Sequence, residues 1–374
     1  MDIENHSPFP HMVFEKAGKQ HQLFDVIVVA GTFDLRHGQP LLIADEQKPI
    51  NGVDRYEGEP ESSGFLEETH LVLTKQRTDI HLIGSAKPSN GSSAAHWPMA
   101  LRVGPVSKTA MLHGPRLWSW SLMRGWHLTP AQPAAGVALH LGMSYGGVIA
   151  RAGYRGPATS DIHDEQAFDT FADNPAGKGY VGSQSLDRAQ FYPAAQIEDV
   201  EHPIRDIHKR YKPVAFGPVP RWTPARARHI GDCDAKWQAE QFPFLPDDFN
   251  FAFYQSAQPD LIAPGWLQGD EPIVLLGCHP SGRLDSYLPG LRLLALLTDD
   301  GGHVQAEPLR LDTLSIDLDN DTVQLVWRRS IAKSWGLRHV MLAAIPDGPA
   351  QASVIRPVHI HRQPMARPTG AGHG

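Results

Sequence analysis

The chain has 374 residues, a formal net charge of -7, 41% hydrophobic and 20% charged residues. This is the composition of a folded protein with room for a large core, not of a disordered one. Its acidic balance argues against a nucleic-acid partner, which calls for clustered basic charge, and no apolar run approaches the roughly 20 residues of a membrane-spanning helix. The first residues, Met1-Asp2-Ile3-Glu4-Asn5-His6, show neither the basic n-region nor the apolar h-region of a secretory leader. Two cysteines, Cys233 and Cys278, cannot build a disulfide framework or a four-cysteine zinc site. The expectation is a cytoplasmic protein with reduced thiols, no membrane association and no nucleic-acid partner.

There are 34 glycines and 32 prolines, 66 of 374 residues, well above the roughly 12% of ordinary usage. Many turns imply many short strands. The first clear strand is Asp25–Gly31, a β-branched apolar run ending in glycine. Asp79–Ala86 alternates Ile80 and Leu82 with His81 and Ile83, and Val137–Gly147 reads as a further strand. Short helices are predicted over Asp164–Ala172 and Ala235–Gln241. Near the C-terminus Leu314, Ile316 and Leu318 alternate with polar residues. Asp319-Asn320-Asp321 then turns the chain, and Val323, Leu325 and Trp327 continue one face of the return strand. Nothing follows the regular βαβ alternation of a doubly wound sheet. The fold expected is mainly β, with antiparallel, sandwich-like sheets, few short helices and long irregular loops. Its predicted parts are a β-rich lobe over 1–150, an irregular connection over 151–210, a second β-rich lobe over 211–360 and a flexible tail over 361–374.

Several patterns invite a chemical reading. Gly142-Met143-Ser144-Tyr145-Gly146 is a G-x-S-x-G sequence after an apolar run, the signature of the nucleophile elbow of a serine hydrolase. Against it, Gly153, Gly156 and Pro157 stop any helix after Ser144 almost at once. His359-Ile360-His361 and the pair His202 and His208 offer imidazoles, but no H-E-x-x-H or clustered Cys/His spacing accompanies them. Asp317, Asp319 and Asp321 imitate a calcium loop. Thr322 stands where its glycine belongs and Arg328 where its glutamate belongs, so a hairpin turn is the reading. No phosphate-cradling glycine loop occurs, and neither metal nor cofactor is expected. The stretch from Phe216 to Gly269 is dense in aromatics among Pro, Arg and Asp, the residue types of protein-binding hot spots. Those types also suit a core braced by Arg–carboxylate pairs, or a carbohydrate-binding module.

The same stretch carries an ordered series of short motifs. Phe216-Gly217-Pro218 is followed by Trp222, Pro224 and Arg226, then by Gly231, Asp234 and Trp237. Phe244-Leu245-Pro246 with Asp248-Phe249, Ala257 with Pro259-Asp260, and Leu267 with Gly269-Asp270-Glu271 come next. Leu288-Pro289-Gly290, then Asp312-Thr313 with Ile316-Asp317, and Trp327-Arg328 close it. Upstream lie Lys75, Thr78 and Asp79, then Lys108, Gly114, Arg116 and Trp118, then Gly146-Gly147, and then Asn174-Pro175 with Gly177-Lys178-Gly179. In this order the series resembles the domain-of-unknown-function 2169 family, associated with bacterial type VI secretion loci. It departs from the family pattern at Ser144-Tyr145 and at Asp232-Cys233.

The resemblance implies a non-enzymatic cytosolic adaptor or chaperone. Its partners would be a type VI secretion effector, typically a PAAR-domain toxin, and the VgrG spike onto which that effector is loaded. No cofactor is implied. The residues expected to bind the partner are Trp222, Arg226, Asp234, Trp237, Asp248, Phe249 and Trp266. The alternative is a serine hydrolase using Ser144.

Overall fold

A computed structural model describes residues 1–346 apart from Ala152 and the side chain of Asn90. The expected tail 361–374, the end of the second lobe up to 360 and His359-Ile360-His361 lie outside the described residues. The chain is mainly β, with 40% of residues in strands and 7% in helices.

The central sheet has the order His11–Ala17, Leu23–Asp34, Thr322–Ala332, Arg310–Asp317 and Asp79–Ile83. Its second strand contains Val26-Ile27-Val28-Val29-Ala30, every one fully buried. Both faces of this strand are covered, which is why it reads as an unbroken apolar run rather than an alternating one. Ile27, Val29 and Phe33 point into the main core, while Val26, Val28 and Ala30 serve smaller clusters on the opposite face. The predicted hairpin is present. Leu314 faces Leu325 and Ile316 faces Val323, and Asp321 takes a left-handed φ of 49° at the turn. Asp317 accepts from the N–H groups of Asp319 and Asn320 at 3.1 and 3.2 Å, so its carboxylate shapes the turn.

A second sheet runs Ile197–Glu198, Val106–His113, His96–Val103, Pro272–Leu276, Arg283–Tyr287 and Gln39–Pro40. A third runs Asp2–Asn5, Leu337–Pro346, Leu291–Asp299 and Val304–Pro308. Each of these three sheets mixes strands from the first 150 residues with strands from beyond residue 190. One hydrophobic core extends from Phe9 to Leu342. The boundaries expected at 150 and 211 therefore do not separate one sheet from another.

The connecting segment also has a core of its own, where Phe171, Val181, Tyr192, Ile204 and Ile207 gather around Trp118 and Tyr145. Two local expectations are corrected. Val137–Gly147 is not one strand: Val137–Ala138 is followed by a 3-10 turn at Leu141–Met143 and a short pairing at Tyr145–Gly146. The helix expected over Asp164–Ala172 is instead a turn leading into the strand Phe168–Thr170, which pairs with Val148–Ala150. Asp164 accepts the N–H of Gln166, the Asx-type bond that competes with helix. Asp169 is drawn inward by Arg151 at 2.9 Å.

Interleaving predicts that the halves are interdependent. Expressed separately, 1–150 and 211–374 should each fail to give a cooperative unfolding transition followed by circular dichroism, because Leu23–Asp34 loses the strand Thr322–Ala332 that pairs with it from Phe24 to Asp34. A fragment that folds alone would contradict this topology.

Candidate functional site

The stretch Phe216–Gly269 crosses the outer face of the central sheet. Phe249 and Tyr254 pack against Val26, Val72 and Leu73, with Phe14, Phe24, Leu245, Phe251 and Phe253 around them. Phe249 sits 5.3 Å from Tyr254 and 5.6 Å from Phe251, ring centre to centre. Part of the aromatic density is thus the lid of a core.

Beside this lid lies a buried ionic cluster. Lys75 Nζ donates to Asp79 Oδ2 at 2.7 Å, to Ser256 Oγ at 3.1 Å and to Glu68 Oε2 at 3.2 Å. Arg226 reaches Glu68 Oε1 at 2.6 Å and donates to the carbonyls of Val219 and Phe253 at 2.7 and 2.9 Å. Gln255 donates to the other oxygen of Asp79 at 2.7 Å, and Ser256 N–H donates to Asp79 Oδ2 at 2.7 Å. His81 lies 3.2 Å from both Ser256 Oγ and Ser315 Oγ. Burial alone would push the Glu68 carboxyl up, but Arg226, Lys75 and Arg221 outweigh it and hold it below its usual range. For Asp79 the same burial is outweighed by Lys75 and His81. Burial disfavours the Lys75 ammonium, yet Asp79 and Glu68 raise its pKa. Burial pushes His70 down to about 3, helped by Arg328 and Lys75, and pushes His81 down to about 4 against the pull of Asp79. The cavity beside these groups is about 20 Å³, room for about one water molecule and no substrate. The cluster is a brace.

The residues expected to bind a partner divide between this interior and the surface. Arg226 and Phe249 are only 3% and 2% exposed, one in the ionic brace and the other in the aromatic lid. Neither presents a surface to a partner in this fold. Trp222 is half-buried on the turn before the short helix Pro224–Ala227. Trp266 is half-buried at the rim of a hollow of about 240 Å³ that it shares with Arg310 and Arg329. Asp248 is exposed and accepts the N–H of Asp232 with both oxygens, at 3.0 and 3.1 Å. It closes a loop at Gly231, where φ is 82° and a Cβ would stand 2.4 Å from the Asp248 carboxylate. Asp234 caps the helix Ala235–Glu240 by accepting from Trp237 N–H at 2.7 Å.

That helix buries none of its residues. Trp237 packs edge-on to Phe242 at 5.8 Å and donates its indole N–H to the carbonyl of Phe244 at 2.9 Å. Phe244 in turn meets His21 at 4.9 Å. Phe242 is 67% exposed, a large apolar ring held in water by a fixed platform. A hollow of about 250 Å³ lined by His21, Phe244 and Leu245 lies beside it. Phe242 was visible in the sequence only as one aromatic among many. Its exposure is set by the way the segment folds back. Nearby Cys233 is exposed, and its thiol pKa is raised, by burial first and then by Asp248, Asp232 and Asp234, which favours the protonated thiol.

Ser144 is fully buried, and its Oγ accepts the N–H of Val214 at 2.6 Å. The chain runs from Ser144 directly into Tyr145–Gly146, paired in parallel with Lys178–Gly179. The strand–turn–helix setting of a nucleophile elbow is not formed here. Upstream His113 is engaged by Glu198 at 2.6 Å. Among the described residues there is no group of three or more His, Cys, Asp or Glu placed to hold a metal ion, and no helix is long and apolar enough to cross a membrane.

With this geometry in place, comparison with family models finds one match, over residues 20–328, to an uncharacterized protein family conserved in bacteria, DUF2169. The chain belongs to the DUF2169 family. Comparisons with curated proteins and with solved structures give no match. In this DUF2169 chain, several motif residues hold contacts beyond their own segment. Lys108 pairs with Asp260 at 2.9 Å, Arg328 with Asp312 at 2.6 Å, and Arg116 with Glu198 at 2.8 Å. Asn174 donates to the carbonyls of Leu141 and Tyr145 at 2.9 and 3.0 Å. A Cβ on Gly146, whose φ is 152°, would stand 2.1 Å from the Asn174 carbonyl. Lys108 with Asp260, and Gly146 with Asn174, are motif positions whose place in the series reflects a contact between separate segments.

Two outcomes follow from the brace. Lys75→Met leaves Glu68 and Asp79 buried with one cation fewer, and should lower unfolding free energy in urea by about 3–5 kcal/mol. His70 and His81 are neutral in the fold, with pKa values below the ordinary 6.5, so the stability tied to them is complete above pH 6.5 and is lost as pH falls toward 4. Below that, the lowered carboxyls Glu68 and Asp79 withdraw their share as the pH falls under their ordinary values of 4.5 and 3.8. Thermal midpoints should fall over this acid range, and less steeply between pH 6.5 and 4 in a His70→Gln/His81→Gln variant.

Proposed function

We propose that this chain is a non-enzymatic cytosolic adaptor or chaperone that binds a type VI secretion effector, a PAAR-domain toxin, and aids its loading onto the VgrG spike. The class of partner comes from the family resemblance. The observation that carries a binding role is the Trp237–Phe242 platform. An exposed ring just past the end of a helix with no buried residue contributes little to the fold, whereas rigid aromatics at the surface serve as interface anchors. A partner covering Phe242 would also cover the flanking Trp237, Phe244 and His21. The acids around the platform, Asp232, Asp234 and Asp248, would form its polar rim.

The test is co-expression of the tagged chain with a spike-tip effector encoded beside it. The two should co-purify and the effector's soluble yield should rise. Phe242→Asp should cut recovery of the effector by at least about tenfold, the scale of a hot-spot loss, with the thermal midpoint of the adaptor unchanged. Recovery equal to the parent's, by a folded Phe242→Asp variant, would move the interface elsewhere. Absence of any complex between two folded proteins would count against the adaptor reading itself.

A further inference from the structure

After the strand Ile197–Glu198 the chain makes a surface loop that presents Arg205, His208, Lys209, Arg210 and Lys212, all exposed. In a chain of net charge -7 this is a local concentration of cations. Of the acids nearby, Glu198, Asp199 and Asp206 are engaged by other groups, while Glu201 is exposed. Glu198 is buried against Arg116 and His113, Asp199 accepts the N–H groups of Glu201 and His202, and Asp206 accepts the N–H of His208. Arg205, Lys209, Arg210 and Lys212 form no ion pair with a carboxylate among the described residues, and Arg210 lies over the Tyr180 ring at 5.8 Å.

The backbone that carries these cations is fastened at several points. Ile204 and Ile207 are buried in the smaller core. Glu198 accepts the N–H of Ile204 at 2.9 Å, and Tyr211 Oη accepts the N–H groups of Arg205 and Asp206, both at 3.0 Å. Tyr145 Oη donates to the carbonyl of Lys209 at 3.0 Å. His208, Lys209 and Arg210 form a ridge between two hollows, one of about 1110 Å³ inside the loop and one of about 360 Å³ beside Tyr180. A fastened loop gives up little conformational freedom on binding, and guanidinium groups match carboxylates with paired hydrogen bonds.

We infer that this ridge docks an acidic, carboxylate-rich segment of a protein partner. A polypeptide laid across the ridge can send side chains into both hollows. A nucleic acid, with its unbroken run of phosphates, fits less well than a peptide whose carboxylates can be spaced around Asp199, Glu201 and Asp206. The surface shares no residue with the Trp237–Phe242 platform, and the inference stands whether or not the partner is a secretion effector.

The test uses the full chain and a fluorescent Glu/Asp-rich peptide, with its Gln/Asn counterpart and a single-stranded RNA of equal charge as comparisons. Fluorescence anisotropy at low salt should show binding of the acidic peptide, weakening as salt rises, and much weaker binding of the neutral peptide. Lys209→Glu/Arg210→Glu should weaken binding by at least about tenfold, and Arg124→Glu, on an exposed hairpin turn elsewhere, should not. Arg205→Gln/Lys212→Gln should also weaken it and provides the reading if the double reversal does not fold. The inference is overturned if the acidic peptide does not bind at low salt, if the ridge variants bind like the parent, if Arg124→Glu is equally damaging, or if the RNA binds more tightly than the peptide.

Discussion

Lys75 holds its ammonium group almost wholly out of water, and the surrounding fold is arranged so that it can. Its partners come from near and far along the chain: Glu68 and Asp79 nearby, Ser256 far downstream, and Arg226 through their common neighbour Glu68. An ammonium buried without them would be severely destabilising, and the carboxylates without it equally so. The charges offset one another only when the loop before the strand Asp79–Ile83, the turn after Tyr254 and the short helix at Pro224–Ala227 are all in place. Whatever its net contribution to stability, such a brace makes wrong packings of these three segments costly.

The brace also orients the aromatic segment. Arg226 grips the carbonyls of Val219 and Phe253, so the chain on either side of the platform is tied to the body. Between those ties, Phe249 and Tyr254 go down onto the sheet. The intervening Ala235–Glu240 helix, none of whose residues is buried, stays outside and carries Trp237, against which Phe242 packs just beyond the helix end. The irregular middle of the chain follows the same logic at smaller scale. Its core around Trp118 and Tyr145 fastens a loop whose charged side chains are left free to face outward.

Much of the fold was legible as local pattern. The strand at Leu23–Asp34, the hairpin of Arg310–Asp317 with Thr322–Ala332 and the Asp234-capped helix all appear where periodicity and turn chemistry place them. Val137–Gly147 has the apolar content of a strand, but the His140 side chain accepts the N–H of Gly142 and caps the 3-10 turn Leu141–Met143, which breaks the run before Tyr145–Gly146. The G-x-S-x-G pattern there is satisfied in letters while its serine serves as a buried acceptor for Val214. Of the aromatic and charged residues between Phe216 and Gly269, composition could not say which were lid, which were brace and which were surface. Arg226 and Asp234 look alike as charged residues in a polar stretch, yet one is buried against Glu68 and the other caps an exposed helix.

The amino-acid sequence alone determined the strand-rich class, the turn at Asp319–Asp321 and, through its ordered motifs, the family. These depend on local steric preference and on residues whose spacing is written along the chain. Tertiary structure alone decided that the N- and C-terminal strands share sheets, and that Lys75, Glu68, Asp79 and Arg226 form one buried unit. It likewise decided that Phe242 faces water. The reason is physical: strand partners and burial are set by which surfaces exclude water together, and that is a property of contacts between segments hundreds of residues apart.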